Sequence, residues 1–215
     1  MHADKAPRMA KRDIRINCGR YFVRTIRRDD VSDRWARWLS DPWAMRALNL
    51  PARTMEKKDI LDYLKNFDQR SNFLLGIFEK RTLAHVGIIR LDVEPRFRQG
   101  IVNLLIGEPE HRNRGLMLDV AVSTLDHLFE AGLTKLSAST LSRNALIIGH
   151  LEKTGWRREP SRSETVKSSA DGGTLELCTF SLSREAWQAW SKTTFARRVR
   201  ERVRRFESEL AQKGR

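Results

Sequence analysis

Hydrophobic and polar positions along the chain change period several times, and each change marks an element. Residues 20–26 alternate and carry aromatic and β-branched side chains, which predicts a strand. Asp30 is placed to cap a helix whose apolar positions are Val31, Trp35, Trp38 and Leu39, and Asp41-Pro42 interrupts it. Thr54 is placed to cap a second helix with a stripe of Ile60, Leu61, Leu64 and Phe67. Residues 72–79, 83–93 and 101–108 then read as three strands joined by short turns, an antiparallel meander. Their continuous apolar runs predict burial on both faces. Leu118, Val122, Leu125 and Phe129 return to helical spacing, and Gly132 suits a left-handed C-cap. A strand at 134–140, a short helix from Asn144 to Thr154 stopped by Gly155, and two strands within 156–182 follow. The order is β, α, α, β, β, β, α, β, α, β, β. It predicts an α+β (mixed α/β) domain in which a β-α-β unit at 101–140 introduces parallel pairing.

Composition bounds this picture and charge divides it. The chain has 215 residues, 40% hydrophobic and 32% charged, as expected of a globular protein with a heavily charged surface. No apolar run approaches the ~20 residues that span a membrane, and no secretory signal is visible at the start. Two cysteines, Cys18 and Cys178, make no disulfide framework, so a reducing, cytoplasmic setting is expected. The net charge of +14 suggests nucleic acid until it is located. Residues 1–28 hold nine Lys/Arg and two Asp/Glu, residues 184–215 ten and four, and the stretch between is nearly balanced. The expected division is a basic flexible segment at 1–19, a central domain at 20–190, and a basic amphipathic helix at 191–215. That helix puts Phe195, Val199, Val203, Phe206 and Leu210 on one stripe. Packing on its own domain or in a homodimer is the plain reading. Contact with membrane or nucleic acid is the other.

The candidate chemistry sits at residues 108–120, Glu-Pro-Glu-His-Arg-Asn-Arg-Gly-Leu-Met-Leu-Asp-Val. A strand runs into two arginines around a glycine, and a helix starts at once. The first N–H groups of a helix have no internal partner and carry the positive end of its dipole, so such a junction can hold phosphate. Gly115 leaves its backbone open to approach. A second short helix, Asn144 to Trp156, begins with Asn and ends Lys-Thr-Gly-Trp.

Taken together, these two segments resemble the GNAT superfamily of N-acetyltransferases over roughly residues 20–190. The early Trp-rich segment is similar to the branch of ribosomal-protein N-terminal and amino-sugar acetyltransferases. The resemblance implies a twisted, mostly antiparallel sheet with one splayed parallel strand pair, and acetyl-CoA as co-substrate without a metal. It implies cofactor contacts at Ile106, Asn113, Arg114, Gly115, Leu116, Met117, Leu118 and Asn144. Met117 stands where the family usually has Gly or Ala, so its side chain must turn away from phosphate. Leu151 stands where many members carry a proton-donating Tyr.

The reaction implied is direct attack of a neutral amine on a thioester. An ammonium has no lone pair, so a base or a water chain must take its proton. Glu108, at the end of the strand entering the loop, is the first candidate base, against a solvated carboxylate in a turn. Asp92 and Glu94 come next. His150 is a candidate acid, His111 reads as a surface residue, and His85 as a core residue. Trp35 and Trp38 suit core packing, and Trp43 suits a pocket wall. A small amine such as an amino-sugar or sugar nucleotide is the expected acceptor. A protein N-terminus or lysine is the alternative, as is a non-catalytic module that binds nucleic acid or membrane.

Overall fold

The computed structural model describes residues 11–112, 115–160 and 164–213. Among these residues nine strands form one sheet: β1 (Arg15–Cys18), β2 (Tyr21–Thr25), β3 (Asn72–Glu79), β4 (His85–Glu94), β5 (Gln99–Ile106), β6 (Lys135–Leu141), β7 (Arg157–Arg158), β8 (Glu164–Lys167) and β9 (Thr174–Ser183). Its order is β1-β2-β3-β4-β5-β6-β9-β7, with β8 also on β9. The helices are α1 (Asp33–Trp38), α2 (Pro42–Leu48), α3 (Lys57–Leu64), α4 (Leu116–Glu130), α5 (Ala145–Lys153), α6 (Arg184–Ser191) and α7 (Thr194–Lys213). The expected mixed α+β fold is the one observed. β1 is an addition, lying within the segment read as lead-in. It pairs with β2 from Arg15↔Arg24 to Cys18↔Tyr21, turning at Gly19.

The sheet is sandwiched, and strand alternation divides its side chains between two cores. On β3, Phe73, Leu75 and Ile77 enter one core while Leu74 and Phe78 enter the other. The larger core lies under α4, α6 and α7, and the smaller under α1 and α3. Each fully buried Leu or Phe contributes roughly 1.5–3 kcal/mol relative to exposure. Gly76 is required on the smaller side, where a Cβ would stand 2.5 Å from the Phe78 ring.

Helix starts differ from the expected caps. Ser32, not Asp30, caps α1 by accepting from the Trp35 amide; Asp30 instead takes two hydrogen bonds from Arg24. Glu56, not Thr54, stands at the start of α3, its amide donating to Asp59. Asp41 and Pro42 do more than interrupt one helix. Asp41 accepts from the Trp43 amide and Pro42 occupies the first turn, so they start α2. α2 ends at Asn49 in a left-handed conformation (φ 54°), and the Asn49 side chain bonds the β8–β9 hairpin.

Candidate active site

The sheet comes apart in its middle. β5 and β6 run parallel and pair at Gln99↔Lys135, Gly100↔Leu136 and Ile101↔Ser137 only. Beyond Ile101, β5 stays on β4 through Ile106, while β6 stays on β9 through Leu141. The two strands splay, and a cavity of about 590 Å³ opens between them. Val102 to Ile106 line one wall, and Ala138 to Leu141 the other. α4 and α5 contribute Met117, Leu118, Asn144 and His150. Trp43 and Leu48 of α2, with Val166 of β8 and Leu177 of β9, also line it.

Gly115 sits at the N-cap of α4 in a left-handed conformation (φ 77°) and lines the cavity. Of the expected cofactor residues, Ile106, Met117, Leu118 and Asn144 also line it. Leu116 does not: its side chain is buried in the larger core. Asn113 and Arg114 lie outside the described residues. Met117 also packs against the larger core. Asn144 precedes α5 and its side chain makes no capping bond.

Arg112 lines the cavity and is held there by several partners. Its guanidinium donates to Asp41 at 2.5 Å, to the Gly107 carbonyl at 2.7 Å and to the Ile106 carbonyl at 3.2 Å. It lies 4.3 Å from the centre of the Trp43 ring. One side chain therefore ties α2 to the exit of β5. Trp43 becomes a cavity wall, as expected, although half its surface remains exposed.

Glu108, the expected base, does not line the cavity. Its carboxylate is buried on the other side of the β5 exit. It accepts a 2.8 Å hydrogen bond from Trp38 Nε1 and stands 3.7 Å from Arg34 Nε. Gly107 makes room for this arrangement, since a Cβ there would meet the Trp38 ring at 1.9 Å. Asp92 is paired with Arg90 and Asn72, and Glu94 accepts from the Arg96 amide. His111 is partly buried against the Tyr21 hydroxyl, 3.0 Å away. His150 lines the cavity, and burial followed by the Lys153 charge lowers its pKa. Leu151 lines the cavity beside it.

The sequence reading missed Thr124. It is 3% exposed, its hydroxyl has no partner among the described residues, and it lines the cavity. Its position was legible: Leu116, Val120 and Thr124 follow at i, i+4 and i+8, a polar break in a buried stripe. Among the described residues, no group of three or more His, Cys, Asp or Glu could hold a metal ion. None of their helices is long and apolar enough to cross a membrane.

The model of an acetyltransferase (GNAT) domain matches residues 20–157. The chain belongs to the GNAT acetyltransferase family. As a GNAT protein it is an N-acetyltransferase, and the fold uses acetyl-CoA. No curated protein matches it as a relative. Solved structures share its fold at low identity. Spermidine N-acetyltransferase from Vibrio cholerae, solved with CoA and spermine, is 14% identical, with a TM-score of 0.69 over 79% of this chain and 98% of that one. Ribosomal-protein-S5-alanine acetyltransferase from Vibrio fischeri is 18% identical, with 0.66 over 81% and 99%. A GNAT acetyltransferase from Bacillus anthracis is 18% identical, with 0.67 over 80% and 99%.

Proposed function

We propose that this GNAT protein acetylates a small primary amine, such as an amino-sugar, and that both substrates meet in the cavity between β5 and β6. The carrying observation is the splayed seam, which opens a mostly apolar cavity from the left-handed turn at Gly115 to the Trp43 wall. The residues suit acetyl-CoA. The start of α4 offers N–H groups to a pyrophosphate. The unpaired edges of β5 and β6 offer backbone donors and acceptors to an extended amide chain. The Thr124 hydroxyl supplies another polar group inside. Acetyl-CoA supplies an activated acyl carbon with a thiolate leaving group.

His150 replaces Glu108 as our candidate base. Burial and then the Lys153 charge favour the neutral imidazole, whose free nitrogen can accept a proton from the amine directly or through water. Leu151 cannot donate a proton to the departing thiolate, which leaves that task to water or to the His150 imidazolium formed by the first transfer. Asn144 lines the same cavity and can orient the acetyl or amine group.

An acceptor screen by thiol release tests this reading, with amino-sugars, spermidine and peptides bearing free N-termini as arms. Turnover of amino-sugars is expected. Turnover of peptides alone would move the assignment to a protein acceptor. With an acceptor in hand, His150→Gln should lower kcat by roughly 100-fold and remove the acid limb of the pH profile.

A further inference from the structure

The cavity wall lacks negative charge. Among the described residues that line it none is Asp or Glu, and Arg112 is the one with a fixed charge. That charge is already matched, because Arg112 meets Asp41 at 2.5 Å and Asp41 does not line the cavity. Other polar groups in the wall are neutral, among them Asn103, Thr124 and Asn144. The Thr124 hydroxyl is buried there without a partner among the described residues. Such a wall can hydrogen-bond hydroxyls and amides. It gives an ammonium no carboxylate to pair with, and an unpaired charge taken out of water is costly. The reacting amine must lose its proton before it attacks, so it escapes this cost. A second ammonium elsewhere on the acceptor would not.

Trp43 supplies a fixed surface in the same wall. The Arg112 guanidinium lies 4.3 Å from its ring centre. Asp41, which pairs with that guanidinium, also accepts from the Trp43 amide. Asn49 fastens the far end of α2 to the β8–β9 hairpin. The indole is thus held in place while 53% of Trp43 stays exposed, so its fixing is not explained by core packing. An aromatic face is electron-rich and apolar. The polarised C–H bonds on the flat side of a hydroxylated ring suit such a face, and its hydroxyls suit the neutral polar groups nearby.

We infer that the acceptor carries its one amine on an uncharged, hydroxylated ring, and that Trp43 is the specificity-determining residue that seats this ring. This rests on the small-amine reading of the cavity and narrows it, because diamines and polyamines are then rejected.

Thiol-release kinetics on the full chain at saturating acetyl-CoA test it with three acceptors: glucosamine, 5-amino-1-pentanol and 1,5-diaminopentane. The last two match in length and differ by a hydroxyl against a second ammonium. The diamine should have a kcat/KM at least about tenfold below that of the amino alcohol. Trp43→Leu should raise KM for glucosamine about tenfold with kcat little changed. KM for the amino alcohol, which has no ring to seat, and for acetyl-CoA should stay as in wild type, and Trp43→Phe should recover most of the loss. Ala47 also lines the cavity, one turn along α2 from Trp43 and on the same face, so Ala47→Glu adds the missing carboxylate and should raise turnover of the diamine. A wild-type chain that uses the diamine at least as well as the amino alcohol overturns the inference and leaves the small-amine reading standing. Turnover of the amino alcohol without glucosamine does the same. An equal rise in KM for glucosamine and the amino alcohol in Trp43→Leu also overturns it, since the damage then lies in the wall as a whole. No turnover of any of the three, with CoA still bound, overturns the small-amine reading and this inference together.

Discussion

His85 shows how one residue can make stability depend on pH. It is buried among Trp35, Trp38 and Phe78, with Nε2 3.0 Å from the Gly87 carbonyl and Nδ1 unpartnered among the described residues. Burial, against the opposing pull of Asp30, lowers its pKa from 6.5 to about 4. The folded state holds the ring neutral while the unfolded chain protonates it near pH 6.5. The stabilisation is therefore complete above pH 6.5 and is lost as pH falls from there to about 4. The full span is about 3 kcal/mol. Urea midpoints at pH 7 and pH 4.5 should differ accordingly, and His85→Gln should flatten this part of the dependence. Gly115 gives a second expectation. Ala there must adopt φ 77°, at a cost of about 1–2 kcal/mol, and its methyl meets Arg202. Gly115→Ala should lower the melting temperature and weaken CoA binding, with calorimetry as the check. Some of this was readable from residue types, since a glycine between a strand and a helix announces its backbone need. The surroundings of Glu108 were not. A carboxylate in a Glu-Pro-Glu turn gives no hint that Trp38, seventy positions away in sequence, donates to it.

Among the elements, periodicity was the most reliable guide. α4 and the Asn144 helix follow from period 3.6, because each must hide a face from water; the meander follows from its apolar runs, but β5 is not buried on both faces, with Gln99, Ile101 and Asn103 exposed. Elements held by pairing rather than by pattern were missed. β1 is four residues long and carries two charged or polar positions in an apparent lead-in; only β2 beside it makes it a strand. The split of α1 from α2 was visible in Asp41-Pro42, but its use was not. The break turns Trp43 toward the cavity, and Asn49 then fastens α2 to the β8–β9 hairpin through the Lys167 carbonyl and the Ser169 amide, at 2.8 and 3.0 Å. Asn49→Ala should loosen that wall. We expect a loss of about 1–2 kcal/mol and a higher KM for the amine, with KM for acetyl-CoA little changed. Steady-state kinetics varying each substrate in turn checks this.

At the scale of the molecule, charge was the misleading quantity. The net charge alone suggests nucleic acid, but the basic end reads first as a helix packed on its own domain or in a homodimer; Arg200 and Arg202 face carboxylates on α4, and Val199 and Val203 are buried. Glu207 adds an ion pair with Lys80 at 3.6 Å. Ending the chain at Thr193 should thus destabilise the fold by about 3–5 kcal/mol, because the buried surface shared with Ala196, Val199 and Val203 opens to water and the ion pairs to Asp119 and Asp126 are lost, as read from urea midpoints. The splayed seam has a consequence that isotope labelling can read. Three register pairs are all that stitch β5 to β6, so the gap-side amides between Val102 and Ile106 have no neighbouring strand to shield them. In the protein alone they should take up deuterium within the fast phase, while those of β3 and β4 remain protonated. Adding CoA should slow uptake in this segment selectively, since a polar chain lying in the seam would stand in for the missing strand.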